Sequence, residues 1–125
     1  MRKYDRDEVA AYLNDLEPKQ AEVLIELRDR LVRVAKADED LIMSYQLPTI
    51  RVSGKNFLAF AAWKNFYSIY LLSGSLGKKI SSELKQGELD KSVVRFAWNE
   101  KVTDKTLKLL VSAKREELAE RARAR

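Results

Sequence analysis

Between Leu41 and Leu72 the chain reads LIMSYQLPTIRVSGKNFLAFAAWKNFYSIYLL, a run that alternates apolar with polar or small residues and holds most of the aromatics. Period-two alternation marks strands, because successive side chains leave a pleated backbone on opposite faces. A chain built around such a run has to form a sheet and cover at least one side of it. Two interruptions, Ser53-Gly54-Lys55-Asn56 and Lys64-Asn65, carry residues suited to reversing direction, since Gly and Asn reach positive φ at little cost. The pattern predicts an antiparallel meander over residues 49–52, 57–63 and 66–71, led in by 41–47. Pro48 has no N–H to give to a ladder, so it marks a break or an edge.

Both flanks have helical periodicity instead. Asp5 caps a first helix, with Glu8 completing a capping box, and Val9, Tyr12, Leu13 and Leu16 share one face. Pro18 suits the first turn of a second helix over 19–37. Its stripe is Val23, Leu24, Leu27, Leu31, Val34 and Ala35, and Glu26, Arg28, Arg30 and Arg33 are expected to face water. Asp38-Glu39-Asp40 is expected to close that helix and enter the first strand. Downstream come a short helix over 76–84 that Gly87 ends, a strand over 92–98 and a last helix over 104–122 capped by Thr103. The inner stripe of the last helix is Leu107, Leu110, Val111, Lys114 and Leu118. Gly74, Gly77, Lys78 and Lys79 do not meet the G-x-x-x-x-G-K-[ST] spacing of a phosphate loop.

Alternation also sorts the sheet into two faces. Ile50, Val52, Leu58, Phe60, Ala62, Tyr67, Ile69 and Leu71 form the core face. The other carries Thr49, Arg51, Phe57, Ala59, Ala61, Trp63, Phe66, Ser68 and Tyr70, small residues between aromatic walls with one cation. That mixture reads either as a shallow binding groove or as the seat of the C-terminal helix. Arg95, from the strand over 92–98, joins Arg51 on this side if the registers agree. Two arginines beside Trp63 and Tyr70 would suit a carboxylate, a phosphate or a stacked base.

Composition removes several chemistries. Cys and His are both absent. Without them there are no disulfides, thiol nucleophiles, imidazole acid–base catalysis or ordinary zinc and copper sites. Any metal would need oxygen ligands, and the three adjacent carboxylates Asp38, Glu39 and Asp40 are the candidates. At 125 residues and 46% hydrophobic, one domain over 1–125 is expected. The N-terminus lacks an apolar signal core, and no run is long enough to span a membrane, so a cytoplasmic protein is expected. The net charge of +5 is uneven: eight basic and eleven acidic residues in 1–40, but eight and four in 41–100 and again in 101–125. The last two thirds are thus each +4 and suited to acidic partners.

Three ordered motifs carry a resemblance. Ser44-Tyr45-Gln46-Leu47-Pro48-Thr49-Ile50, Phe60-Ala61-Ala62-Trp63-Lys64-Asn65 and Val94-Arg95-Phe96 before a capped helix resemble the YdhG-like family, a bacterial family of unknown function often labelled iron chaperone or frataxin-like. The resemblance implies an α+β fold: a curved antiparallel sheet of about five strands with helices packed on it, in the order α-α-β-β-β(-β)-α-β-α, with a layout like that of secretion chaperones. It covers about residues 4–120 as the core of the domain, and it points to Tyr45, Pro48, Trp63, Lys64, Asn65, Tyr70 and Arg95 as motif positions. Gln46, Phe66 and Ala97 stand where the family pattern has Gly, His and Pro.

The leading expectation is therefore a small binding module rather than an enzyme, since no nucleophile–base pair or metal triad is visible. Its sheet face, with Tyr45, Arg51, Trp63, Lys64, Tyr70 and Arg95, would hold a small anionic ligand or a protein partner. Iron binding is the alternative that the resemblance implies, and it is the one cofactor in question. Nucleic-acid binding comes third because no recognition motif supports it. A monomer or weak homodimer, not attached to membranes, is expected.

Overall fold

In the computed structural model, which describes residues 6–42 and 47–123, helices flank one continuous sheet. Helices α1 (Arg6–Asn14) and α2 (Pro18–Ala35) precede strands β1 (Glu39–Ile42), β2 (Pro48–Val52), β3 (Lys55–Ala62) and β4 (Phe66–Tyr70). Helix α3 (Leu76–Ile80), strands β5 (Glu88–Asp90) and β6 (Val93–Ala97) and helix α4 (Asp104–Arg123) follow. The sheet is antiparallel throughout, in the order β1-β2-β3-β4-β6-β5. This is the expected α+β architecture, with six strands in place of about five. The additional strand is β5, whose three residues pair with β6 (Leu89 opposite Val94). A segment so short and polar has no readable alternation, and it becomes a strand because β6 offers it an edge. Among the described residues, no helix is long and apolar enough to cross a membrane.

Local chemistry accounts for most boundaries. Ser53 (φ 52°) and Gly54 (φ 77°) form a two-residue turn between β2 and β3, both in the left-handed region that matches the twist of flanking strands. Asn56, expected in that turn, lies inside β3. Lys64 and Asn65 close the next hairpin, with the Trp63 N–H donating to the Phe66 carbonyl at 2.9 Å. Pro18 opens α2 as expected. The helix is closed by Lys36 and Ala37, before the acids expected to close it: Lys36 adopts φ 55° and donates to the Arg33 carbonyl, and Glu39 and Asp40 enter β1 as expected. Thr103 caps α4 through its Oγ1, which accepts the Thr106 N–H at 3.2 Å. Helix α3 stops at Ile80, short of the expected end, and Gly87 leads into β5 instead. Gly77 serves packing: a Cβ there would lie 1.9 Å from the Lys91 carbonyl oxygen, in the turn between β5 and β6.

The core occupies one face of the sheet. Leu24, Leu27 and Leu31 of α2 and Leu107, Leu110 and Val111 of α4 join Leu58, Phe60, Tyr67, Ile69, Val94 and Phe96 in a single buried cluster. Phe57 belongs to it as well, although plain alternation assigned it to the opposite face. Ile50 pairs with Leu58 while Arg51 pairs with Asn56, so β3 holds one extra residue there. That bulge breaks the period of two and turns Phe57 into the core, where it is 1% exposed.

Charged residues tie the layers together. Arg28 and Arg30, expected to face water, are largely covered: Arg28 lies 3.6 Å from the buried Asp40, and Arg30 bonds Asp104 at 2.8 Å. The Arg30 guanidinium holds the Asp104 carboxyl below its usual range. Lys114 sits fully inside, donating to the Leu71 carbonyl at 2.8 Å and the Leu72 carbonyl at 3.2 Å. Burial pushes its pKa down, partly offset by the Glu117 carboxylate. The Tyr12 hydroxyl of α1 accepts the Ala62 N–H at 3.0 Å, tying that helix to the end of β3.

Candidate functional site

On the face opposite the core, the pairing Ala61–Ser68–Arg95 runs straight across β3, β4 and β6. Ala61 and Ser68 are each 1% exposed, and Thr49 and Ala59 beside them are fully buried. Small side chains make this floor, and large ones from neighbouring positions lie over it. Trp63, at the end of β3, donates its indole N–H to Ser68 Oγ and to the Tyr70 hydroxyl, both at 3.1 Å. That places the indole above the Ala61–Ser68 pair. Its ring stacks with Phe66 at 6.4 Å between centroids, and the Arg95 guanidinium lies 5.5 Å above the Phe66 ring.

The result is a short ladder of flat groups, Arg95 over Phe66 beside Trp63. At its open end Trp63 is 47% exposed, the one large apolar side chain so exposed among the described residues. Arg95 is also paired with Asp90 at 3.1 Å, an exposed contact of modest strength. Lys64 is exposed in the adjacent turn.

The structure thus brings Trp63, Tyr70 and Arg95 into one patch, with Lys64 at its edge. Ser68 and Phe66, which sequence reasoning left as floor and wall, supply contacts that fix the indole. Arg51 does not join them. It lies three strands across and about four residues along from Arg95, roughly 20 Å by ordinary sheet spacings, and its Nη2 donates to the Gly54 carbonyl of its own hairpin. Tyr45 lies outside the described residues. The helical seat considered for this face is taken elsewhere, since the inner stripe of α4 is in the core cluster on the other side.

Of the carboxylates considered for iron, Asp38 and Asp40 take different partners. Asp38 Oδ2 accepts the Ser53 N–H at 3.3 Å, whereas Asp40 is buried and faces Arg28. The side chain of Glu39 is outside what the structure describes. Among the described residues, no group of three or more His, Cys, Asp or Glu side chains is placed to hold a metal ion.

A second aromatic group, which the sequence did not single out as a site, lies on the core side of the same hairpin. The Trp98 indole N–H donates to the Trp63 carbonyl at 3.0 Å, and its ring meets Tyr67 at 5.2 Å. The Tyr67 hydroxyl donates to the Glu100 carbonyl. Burial and the nearby Glu100 carboxylate push its pKa up to about 12. These rings wall a cleft of about 440 Å³ against α2, lined also by Val23, Leu27 and Val102.

Comparison with solved structures finds the same fold in a protein of the DUF1801 family, YdhG from Bacillus subtilis. The two agree with a TM-score of 0.80 over 92% of this chain and 94% of that one, at 14% sequence identity. The resemblance drawn from the three motifs therefore holds at the level of the fold. No family model matches the sequence, and no curated protein matches it.

Proposed function

We propose that this chain, sharing the YdhG fold, is a binding module that receives a protein partner on the solvent side of its sheet, at Trp63. One observation carries the reading: the exposed indole is held in place by Ser68, Tyr70 and Phe66 before any partner arrives. An aromatic anchor fixed in the free protein loses little conformational freedom on binding, and such anchors dominate interface energetics. A ring left 47% exposed suits a partner's surface better than an enclosed small molecule. Lys64 and Arg95 flank the ring, and the sequence from 41 to 100 is +4 by eight basic and four acidic residues. A segment with an aromatic side chain next to an acidic one matches both features.

The test uses the two indole N–H signals in a nitrogen-15 NMR spectrum, one for each tryptophan. Titration with short acidic–aromatic peptides should move the Trp63 signal saturably and leave that of Trp98 in place. Trp63→Ala should abolish binding while the remaining spectrum stays native. If neither indole responds, if basic peptides act equally well, or if Trp63→Ala still binds, the reading is wrong.

A further inference from the structure

We infer a second and separate site: the cleft where α2 meets the segment between β6 and α4 binds a free aromatic amino acid. The cleft has a volume of about 440 Å³, within the range of small-molecule sites. Its lining comes from parts of the chain that are far apart in sequence, α2, β4 and residues 98–102. Two of the lining groups are rings. Tyr67 and Trp98 lie 5.2 Å apart between centroids, tilted by 39°, and Val23, Leu27 and Val102 extend the apolar wall. A ligand ring adds to such a pair by edge or offset contact, a gain beyond the area it buries. A neighbouring cleft of about 620 Å³ shares Glu26, Arg30, Lys101 and Val102 but has no ring in its lining. An aromatic ligand therefore belongs in the first.

Charge decides the rest of the ligand. Most charged groups of the cleft are already engaged. Arg30 bonds Asp104 at 2.8 Å and lies 3.6 Å from Glu26, which Lys101 approaches at 3.7 Å. Glu100 accepts the Gly87 N–H at 3.0 Å. Lys19 and Glu22 remain. Both are exposed, and among the described residues neither takes a hydrogen bond or an ion pair. Residues three apart on a helix are neighbours, so one ammonium and one carboxylate stand on the same stretch of α2 without being joined. A zwitterion presents the complementary pair, its carboxylate to Lys19 and its ammonium to Glu22.

A ring with both charges on one carbon is an aromatic α-amino acid. An aromatic residue inside a peptide has neither charge on its α-carbon. A peptide segment suited to Trp63 is thus not a ligand for this cleft, and the two sites are independent.

The experiment is isothermal titration calorimetry of the full chain with L-phenylalanine. Three comparison ligands each remove one feature: N-acetylphenylalanine the ammonium, phenylalaninamide the carboxylate, and L-leucine the ring. Saturable binding of phenylalanine is expected, with each comparison ligand weaker by about tenfold or more. Lys19→Gln should bring phenylalanine and phenylalaninamide to the same affinity, because the partner of the carboxylate is gone. Glu22→Gln should do the same for phenylalanine and N-acetylphenylalanine. Both positions are exposed and make no contact that the fold uses, so the variants stay folded. Trp63→Ala keeps the main-chain carbonyl that Trp98 bonds, and it should leave the affinity for phenylalanine within twofold, which separates this site from the partner face. The proposal falls if phenylalanine does not bind saturably, or if any of the three comparison ligands binds as tightly. It falls equally if Lys19→Gln and Glu22→Gln leave the discrimination unchanged.

Discussion

The two faces of the sheet are built from the same strands and are closed in different ways. On the core face, Leu58, Phe60, Tyr67, Ile69, Val94 and Phe96 meet the inner stripes of α2 and α4. Burial there comes from another layer, so every large side chain is removed from water. On the opposite face, Ala59, Ala61 and Ser68 are as deeply buried, and Trp63, a residue of the sheet's own hairpin, bonds Ser68 and Tyr70 there. A side chain that serves as a lid keeps its outer surface wet, and Trp63 is left half exposed. The difference shows how a small sheet protein presents an anchored aromatic: small residues make a floor, and one large neighbour lies across it.

The largest effect should come from breaking the helix-covered face. Phe60→Ala is expected to lower stability by about 4 kcal/mol through lost burial and an unfilled cavity. Ser68→Ala, on the neighbouring strand but the other face, should cost only about 1 kcal/mol, because the Trp63 indole still has the Tyr70 hydroxyl. Urea unfolding measures both, and equal losses would mean that the faces are not closed differently. Next in size is Lys114→Met, expected to cost about 2 kcal/mol because the buried carbonyls of Leu71 and Leu72 lose their donor. A variant as stable as the parent would show that the ammonium is dispensable inside the core.

The smallest effect is confined to alkaline pH. The folded protein holds the Tyr67 proton up to about pH 12, whereas the unfolded chain releases it near the ordinary value of 10.0. The native state therefore binds more protons between those limits, and stability falls as pH rises through them. Lys114 acts in the opposite sense below 10.5, where the unfolded chain binds more protons than the native one. Comparing the parent with Tyr67→Phe isolates the tyrosine. Stability curves should diverge above pH 10, with the parent losing ground to the variant, and parallel curves would contradict the buried hydroxyl.

Much of the scaffold was legible from local rules. The Lys64-Asn65 hairpin, Pro18 at the start of α2, the Thr103 cap and the inward position of Lys114 all follow from short windows of sequence. Errors arose where distant parts of the chain decided the outcome. Phe57 changed face because the β2–β3 pairing contains a bulge, and a period of two cannot register an inserted residue. Strand β5 exists because β6 has an edge to offer. Arg28 and Arg30 were assigned to water because the acids that meet them, Asp40 and Asp104, belong to other elements.

The candidate site divides in the same way. Its composition, small residues among aromatics on alternate positions of three strands, is written in the order of residues from Thr49 to Tyr70, because alternation is a property of the backbone itself. Which of those residues meet is a matter of register and sheet order. Pairing places Arg95 opposite Ser68 and leaves Arg51 strands away beside Lys55 and Arg121. Sequence by itself determined an α+β chain with one apolar sheet face and an aromatic opposite face. Tertiary structure alone decided that the arginines part company, because long-range pairing and helix placement depend on contacts between residues that no local pattern brings together.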